Sequence, residues 1–378
     1  MKKKLGGKRG WILGAGFSRP LNGPLLDDLL RFLPKWVVKA GLPTIEGKEN
    51  PTLEDFFALR SEVARAYCRY GMAQGHWSNP EEFIDHLESA AVYDPKSSIR
   101  RTIQSLVKSG VHWPKDESDL YKLTTLEDLV NAGREAVVAD CWKFLDGQKV
   151  SEDRWLPYRK WAESLTRDDT IISFNYDAVP EILMAHPGSK LVVIPPKDNE
   201  LNEENKRIMD DRQQFVVRKA TENDRAIVLK LHGSINWSRD KFDRLKVAEG
   251  NTAECLSENG TTPIIGFPGP SKVSRFQTEL GPFWKHAEDA LGVADHVYFM
   301  GYSIPATDAA SRDLIVRTVS DSRSGPVLHI VLKSSSNPAA KRLQEILTDR
   351  VSSEVRSYDM GCEDFLDVFE VVPYSSRI

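Results

Sequence analysis

Trp11-Ile12-Leu13-Gly14-Ala15-Gly16-Phe17-Ser18 decides how the chain is read: a short apolar run, a glycine turn and, past Asn22-Gly23-Pro24, an apolar-periodic segment over 25–33. The order is strand, turn, helix. Glycines at such a turn let the backbone approach a ligand closely, and the helix start beyond it offers free N–H groups and a positive dipole end to a pyrophosphate. A dinucleotide is the guest this suits. The fingerprint is partial, because Arg19 stands where the third glycine of G-x-G-x-x-G would fall, and an ordinary tight turn is the competing reading.

Three further segments repeat the pattern of an apolar run ending in a polar cluster. They are Ile171-Ile172-Ser173-Phe174-Asn175-Tyr176-Asp177, then Val228-Leu229-Lys230-Leu231-His232-Gly233-Ser234, then His296-Val297-Tyr298-Phe299-Met300-Gly301-Tyr302-Ser303. Each predicts a strand with chemistry at its C-terminal end. In an open parallel α/β sheet, ligands bind outside the carboxyl ends of the strands, so these distant clusters converge on one crevice.

The ordered set G-A-G-x-S, N-x-D, H-G-S and G-Y-S resembles the sirtuins, and more closely their bacterial relatives that destroy NAD in antiviral defence. The resemblance covers roughly residues 9–30 and 168–333. It implies that Gly14, Ala15, Gly16, Phe17 and Ser18 hold the pyrophosphate, and that Asn175 and Asp177, with Ser173 before them, line the nicotinamide and ribose pocket. It makes His232, followed by Gly233, the catalytic histidine. Gly301, Tyr302 and Ser303 become a phosphate or ribose contact, and the continuation Ile304-Pro305 to Asp308 is typical of the defence branch. The chemistry implied is cleavage of NAD, as substrate, to nicotinamide and linear or cyclic ADP-ribose.

Two departures separate the chain from the protein deacylases of that family. Those enzymes carry paired C-x-x-C motifs, whereas Cys68, Cys141, Cys255 and Cys362 are far apart, so no zinc site is expected. Phe174 also stands where the family has glutamine. Both push away from acyl-lysine chemistry, leaving a NAD-dependent deacylase and a non-catalytic NAD- or ADP-ribose-binding subunit as alternatives. A hydride-transferring dehydrogenase lacks a full fingerprint.

Composition bounds the rest. With 28% charged and 40% hydrophobic residues the 378-residue chain reads as globular rather than disordered. A net charge of −4 gives no basic footprint for nucleic acid. The start Met1-Lys2-Lys3-Lys4 is followed by too short an apolar run for a signal peptide, and no 18-residue apolar stretch occurs, so a cytoplasmic protein with no membrane contact is expected. Scattered cysteines fit a reducing compartment.

The fold class expected is α/β, a Rossmann-like doubly wound parallel sheet with a large helical insertion. Residues 1–40 and 168–378 form the NAD-binding domain and 41–167 the inserted helical subdomain. Helices are predicted over 25–39, from 52 to 70, from 80, over 99–107, 123–145, 158–165, 178–185, 279–291, 306–320 and 338–347. Strands are predicted over 171–174, 191–194, 227–231, 262–267, 297–300 and 327–332. The charged stretch 197–224 reads as a solvated excursion and 238–262 as a polar loop.

Breaking the N-glycosidic bond of NAD builds positive charge on the ribose carbon. Asn175 offers donor and acceptor groups to orient a carboxamide or water, Asp177 a carboxylate for the developing cation, and His232 a general base near neutral pH. Plainer roles compete: Asn175 and Asp177 as an Asx-turn and N-cap, and Asp308 as an acid in the first turn of a helix. Trp237 is read as core packing before adenine stacking. A NAD-depleting enzyme must be silent in the resting cell, which implies control by homo-oligomerisation or a partner. Resemblance alone suggests a HerA-type hexameric ATPase or an Argonaute-like protein.

Overall fold

A computed structural model describes residues 7–30, 53–99, 125–146, 149–196, 223–240, 242, 244–247, 261–266, 280–305, 307–322, 325–333, 338–350 and 354–369. The main sheet has seven parallel strands. They are β1 (Arg9–Leu13), β2 (Asp169–Ser173), β3 (Leu191–Val193), β4 (Ala226–Lys230), β8 (His296–Met300), β9 (Val327–Val331) and β10 (Val355–Tyr358), in the order β10-β9-β8-β1-β2-β4-β3. Three other strands, β5 (Gly233–Arg239), β6 (Leu245–Val247) and β7 (Thr262–Ile265), form an antiparallel sheet with β5 in the middle.

β1 is central because its side chains are buried: Trp11, Ile12 and Leu13 are fully inaccessible, as in a parallel strand covered on both faces. It pairs with β2 (Leu13 opposite Ser173) and with β8 (Leu13 opposite Met300). The chain first fills one side of β1 with β2, edge strand β3 and then β4 between them, and returns to build β8, β9 and β10 on the other. This is the doubly wound Rossmann-like plan, and the reversal opens a crevice at the carboxyl ends of β1, β2 and β8.

Helices follow as α1 (Ala15–Ser18), α2 (Leu53–Ala73), α3 (Pro80–Tyr93), α4 (Leu126–Lys143), α5 (Leu156–Ser164), α6 (Val179–Met184), α7 (Gly281–Gly292), α8 (Ala309–Ser320), α9 (Pro338–Arg350) and α10 (Cys362–Phe369). Helices α2, α3 and α4 pack together. Ion pairs staple them: buried Arg65 binds Asp140 at 2.8 Å, and buried Arg134 binds Glu88. Local signals start them. Asn79 caps α3 through the Glu82 amide, and Thr125 and Asp128 form a reciprocal capping box on α4. On one sheet face, Trp11, Tyr298 and His329 occupy facing positions of adjacent strands and stack with ring centroids 4.3 Å apart at each step. Trp161 of α5 and Phe369 of α10 pack edge-on against Trp11.

Several expectations are corrected. The helix predicted over 25–39 is, over 25–30, one 3-10 turn (Leu26–Asp28), then extended Leu29 and Leu30 at φ 56°; 31–39 lie outside the described residues. Side chains satisfy this backbone in place of a helix, Asp28 accepting from the Leu25 amide and Asp140 from the Leu30 amide. The helix after the glycine turn is instead the short α1. Part of the predicted loop 238–262 is strand β6, and the tail carries β10 and α10. Residues 100–107 of the helix predicted over 99–107, the start of the helix from 52, and most of 197–224 lie outside the described residues. No helix among the described residues is long and apolar enough to cross a membrane.

Candidate functional site

The site begins with the fit of two turns. After β1, the Gly14 amide donates to the Met300 carbonyl (3.1 Å) and the Gly16 amide to the Gly301 carbonyl (3.0 Å). A Cβ on Gly14 would lie 2.5 Å from Tyr302 Cα, and one on Gly301, whose φ is +64°, 2.3 Å from the Gly16 carbonyl carbon. Glycine is thus required where the β1 and β8 turns press together. The close approach expected toward a ligand is, at these atoms, an approach between loops.

The loop after β2 docks on the same turn. Asn175 Nδ2 donates to the Gly14 carbonyl (2.9 Å) and reaches Ser18 Oγ at 3.2 Å, while Ser18 Oγ donates to Asp177 Oδ2 (2.7 Å). Asp177 Oδ1 accepts from the Val179 amide (3.1 Å), an Asx-turn contact rather than the cap of α6, whose N-cap residue is Ala178. Burial raises the Asp177 carboxyl, against the opposing pull of Lys230, Ser18 and the Val179 amide.

Beneath this loop lies a fully buried lysine. Lys230, the last residue of β4, donates to the Asp177 carbonyl, to Ser234 Oγ (2.7 Å) and to Glu181 Oε1 (3.2 Å); Ser234 Oγ donates to Glu181 in turn. A charge in an apolar interior persists only when paired and hydrogen-bonded.

Two residues on from Lys230, His232 is 3% exposed and Asp308 is 1% exposed, and His232 Nε2 stands 3.2 Å from Asp308 Oδ2. The Tyr302 hydroxyl donates to the same Asp308 oxygen (2.9 Å). Asp308 Oδ1 accepts the Ser311 amide, so Asp308 is the N-cap of α8 rather than a residue of its first turn. Phe174 stacks on Tyr302 with centroids 4.5 Å apart and meets His232 edge-on at 5.0 Å. Burial raises the Tyr302 and Tyr176 phenols well above the ordinary range, reinforced by Asp308 and Glu81 respectively, so both stay donors at neutral pH.

These loops enclose a cavity of about 810 Å³. Its wall includes Gly14, Ala15 and Gly16 from the first turn, Asn175 and Asp177 from the second, His232, and Gly301, Tyr302, Ser303 and Asp308. The remaining predicted residues stand behind the wall. Phe17 is fully buried against Tyr158 and Trp161 in the core. Ser18 braces Asn175 and Asp177, Ser173 Oγ accepts from the Asn175 amide (3.2 Å), and Gly233, at φ +77°, makes the turn into β5. Trp237 is buried against Phe283.

Sequence reasoning missed Glu81 and Lys230. A lysine inside a buried apolar strand was itself the signal for Lys230. Glu81 gave none, since an acid in a helix's first turn is commonplace. Cys141 and Cys362 also reach the cavity, but burial raises both thiols, so neither is a ready thiolate. Among the described residues no group of three or more His, Cys, Asp or Glu could hold a metal ion.

Fold and site together define a doubly wound α/β protein with a cavity at its switch point. No protein-family model matches the sequence, and no curated protein matches it. Among solved structures, SIR2 in complex with the inhibitor EX-527, 2'-O-acetyl-ADP-ribose and a deacetylated p53 peptide is similar over 96% of this chain and 93% of that one, with 13% identity and a TM-score of 0.33. So distant a likeness transfers no residue roles, which rest here on the geometry of this chain.

Proposed function

We propose that the chain is a NAD glycohydrolase. NAD and water yield nicotinamide, ADP-ribose and a proton: the bond between the ribose C1′ and the nicotinamide nitrogen breaks, and a bond from C1′ to the water oxygen forms. The observation that carries the proposal is the convergence of Asn175, the His232–Asp308 pair and the paired glycine turns on one cavity at the switch point.

Each residue then has a part. Asp308 at Nε2 of His232 fixes the ring in the cavity wall, where the imidazole serves as general base toward water or a ribose hydroxyl. Asn175 spends its Nδ2 on Gly14 and Ser18, which leaves Oδ1 to accept from the carboxamide or the attacking water. Asp177, fixed by Ser18 and the Val179 amide, sets a carboxyl beside the site of developing charge.

The motif resemblance supports a setting in bacterial anti-phage defence, with the enzyme silent until a partner or self-assembly activates it. It also supports NAD as the substrate. The test is nicotinamide release with and without an acyl-lysine peptide. Peptide-independent release supports the glycohydrolase; release only with peptide makes the chain a deacylase.

A further inference from the structure

Of the α3 residues that reach the cavity wall, one stands at the point where two site loops meet. Glu81, in the first turn of α3, is 7% exposed and lines the cavity. Its Oε1 accepts from the Tyr176 hydroxyl at 3.1 Å, and its Oε2 lies 3.5 Å from Thr307 Oγ1. Tyr176 sits between Asn175 and Asp177, and Thr307 directly precedes Asp308.

An acid at a helix start ordinarily serves the helix. Here that duty falls to the neighbour: Glu82 accepts from the Ser78 amide and hydroxyl, both at 2.7 Å, and its own amide is capped by Asn79. Glu81 instead turns inward, where an unpaired carboxylate is costly and a bonded one rigidifies its partners. The loop is thus held from two sides, by Lys230 through the Asp177 carbonyl beneath and by Glu81 through the Tyr176 ring above.

We infer that Glu81 is a positioning residue of the active site, holding the Tyr176 and Thr307 loops so that Asn175, Asp177 and Asp308 face the substrate together. The insertion is then part of the catalytic apparatus, and any partner that shifts α3 acts on turnover through Glu81. The inference rests on the NAD-cleaving function proposed above.

The experiment compares Glu81→Ala, Glu81→Gln, Tyr176→Phe and the double variant Glu81→Ala/Tyr176→Phe, reading kcat and KM for NAD and hydrogen exchange of the 175–179 amides. Misplacing reacting groups costs rate rather than binding, so kcat falls about tenfold or more in Glu81→Ala and Tyr176→Phe, with KM little changed. The double variant is no worse than Glu81→Ala, because that change already removes the link to Tyr176 together with the contact to Thr307. Glu81→Gln, which keeps an acceptor for Tyr176, stays within about threefold of wild type. Exchange of the loop amides accelerates in Glu81→Ala and not in Glu81→Gln. Equal loss in Glu81→Gln and Glu81→Ala overturns the inference, since the charge itself is then required. Wild-type exchange in Glu81→Ala overturns it too. Absent turnover in the wild type bears on the NAD-cleaving function and its activation, not on Glu81, whose role the exchange measurement still decides.

Discussion

His232 Nε2 and Asp308 Oδ2 stand 3.2 Å apart, both side chains nearly inaccessible, although 75 intervening residues and separate loops divide them. A buried carboxylate beside an imidazole fixes the ring and stabilises its protonated form. Asp308→Asn keeps an acceptor for the Ser311 amide, so α8 stays capped while the charge is lost. Turnover is expected to fall about 100-fold or more with little change in thermal stability. A kcat near wild type in steady-state nicotinamide release contradicts the pairing.

The contact of the two glycine turns predicts a stability defect. An alanine at position 301 would have to adopt φ +64° and place its Cβ 2.3 Å from Gly16. The left-handed backbone and the overpacking together cost at least about 2 kcal/mol. Urea unfolding of Gly301→Ala measures this, and a midpoint equal to wild type shows that the turns do not need to touch.

Lys230 predicts a larger loss. Lys230→Met strands Glu181 in the interior and frees the Asp177 carbonyl, at a cost of about 3–5 kcal/mol. Denaturant unfolding showing a loss below about 1 kcal/mol would deny the lysine its structural place.

Stability should also depend on pH through the stacked histidine of β9. Burial, with His296 and Arg356 nearby, lowers His329 from 6.5 to about 3, and its ring nitrogens face His296 and Tyr358. The unfolded chain therefore takes up a proton below pH 6.5 that the folded chain refuses until about pH 3. Stability is full above 6.5 and falls as pH drops through that window, by up to about 1.4 kcal/mol per pH unit from this group. His329→Phe keeps the stack, and its unfolding midpoint should decline less between pH 6 and 4 than the wild type's, on the order of that slope. Parallel declines refute the burial of a neutral imidazole.

Much of the fold was legible because parallel strands buried on both faces appear as runs such as Ile171-Ile172 and Val297 to Met300, each followed by the polar cluster that ends it. The converging loops were legible for the same reason. The segment 25–30 was not, because its helical periodicity lost to long-range bonds from Asp140 and local ones from Asp28. β5 was hidden because Gly233 to Arg239 mixes polar and apolar residues yet is buried throughout. Glu81 could not be found because its contacts with Tyr176 and Thr307 exist only once α3 is in place.

The most direct test is nicotinamide release from NAD by the purified protein over a range of protein concentrations, with His232→Ala and Asn175→Ala alongside, all confirmed folded. The account predicts release by the wild type and none by either variant. Release that persists in both variants contradicts it.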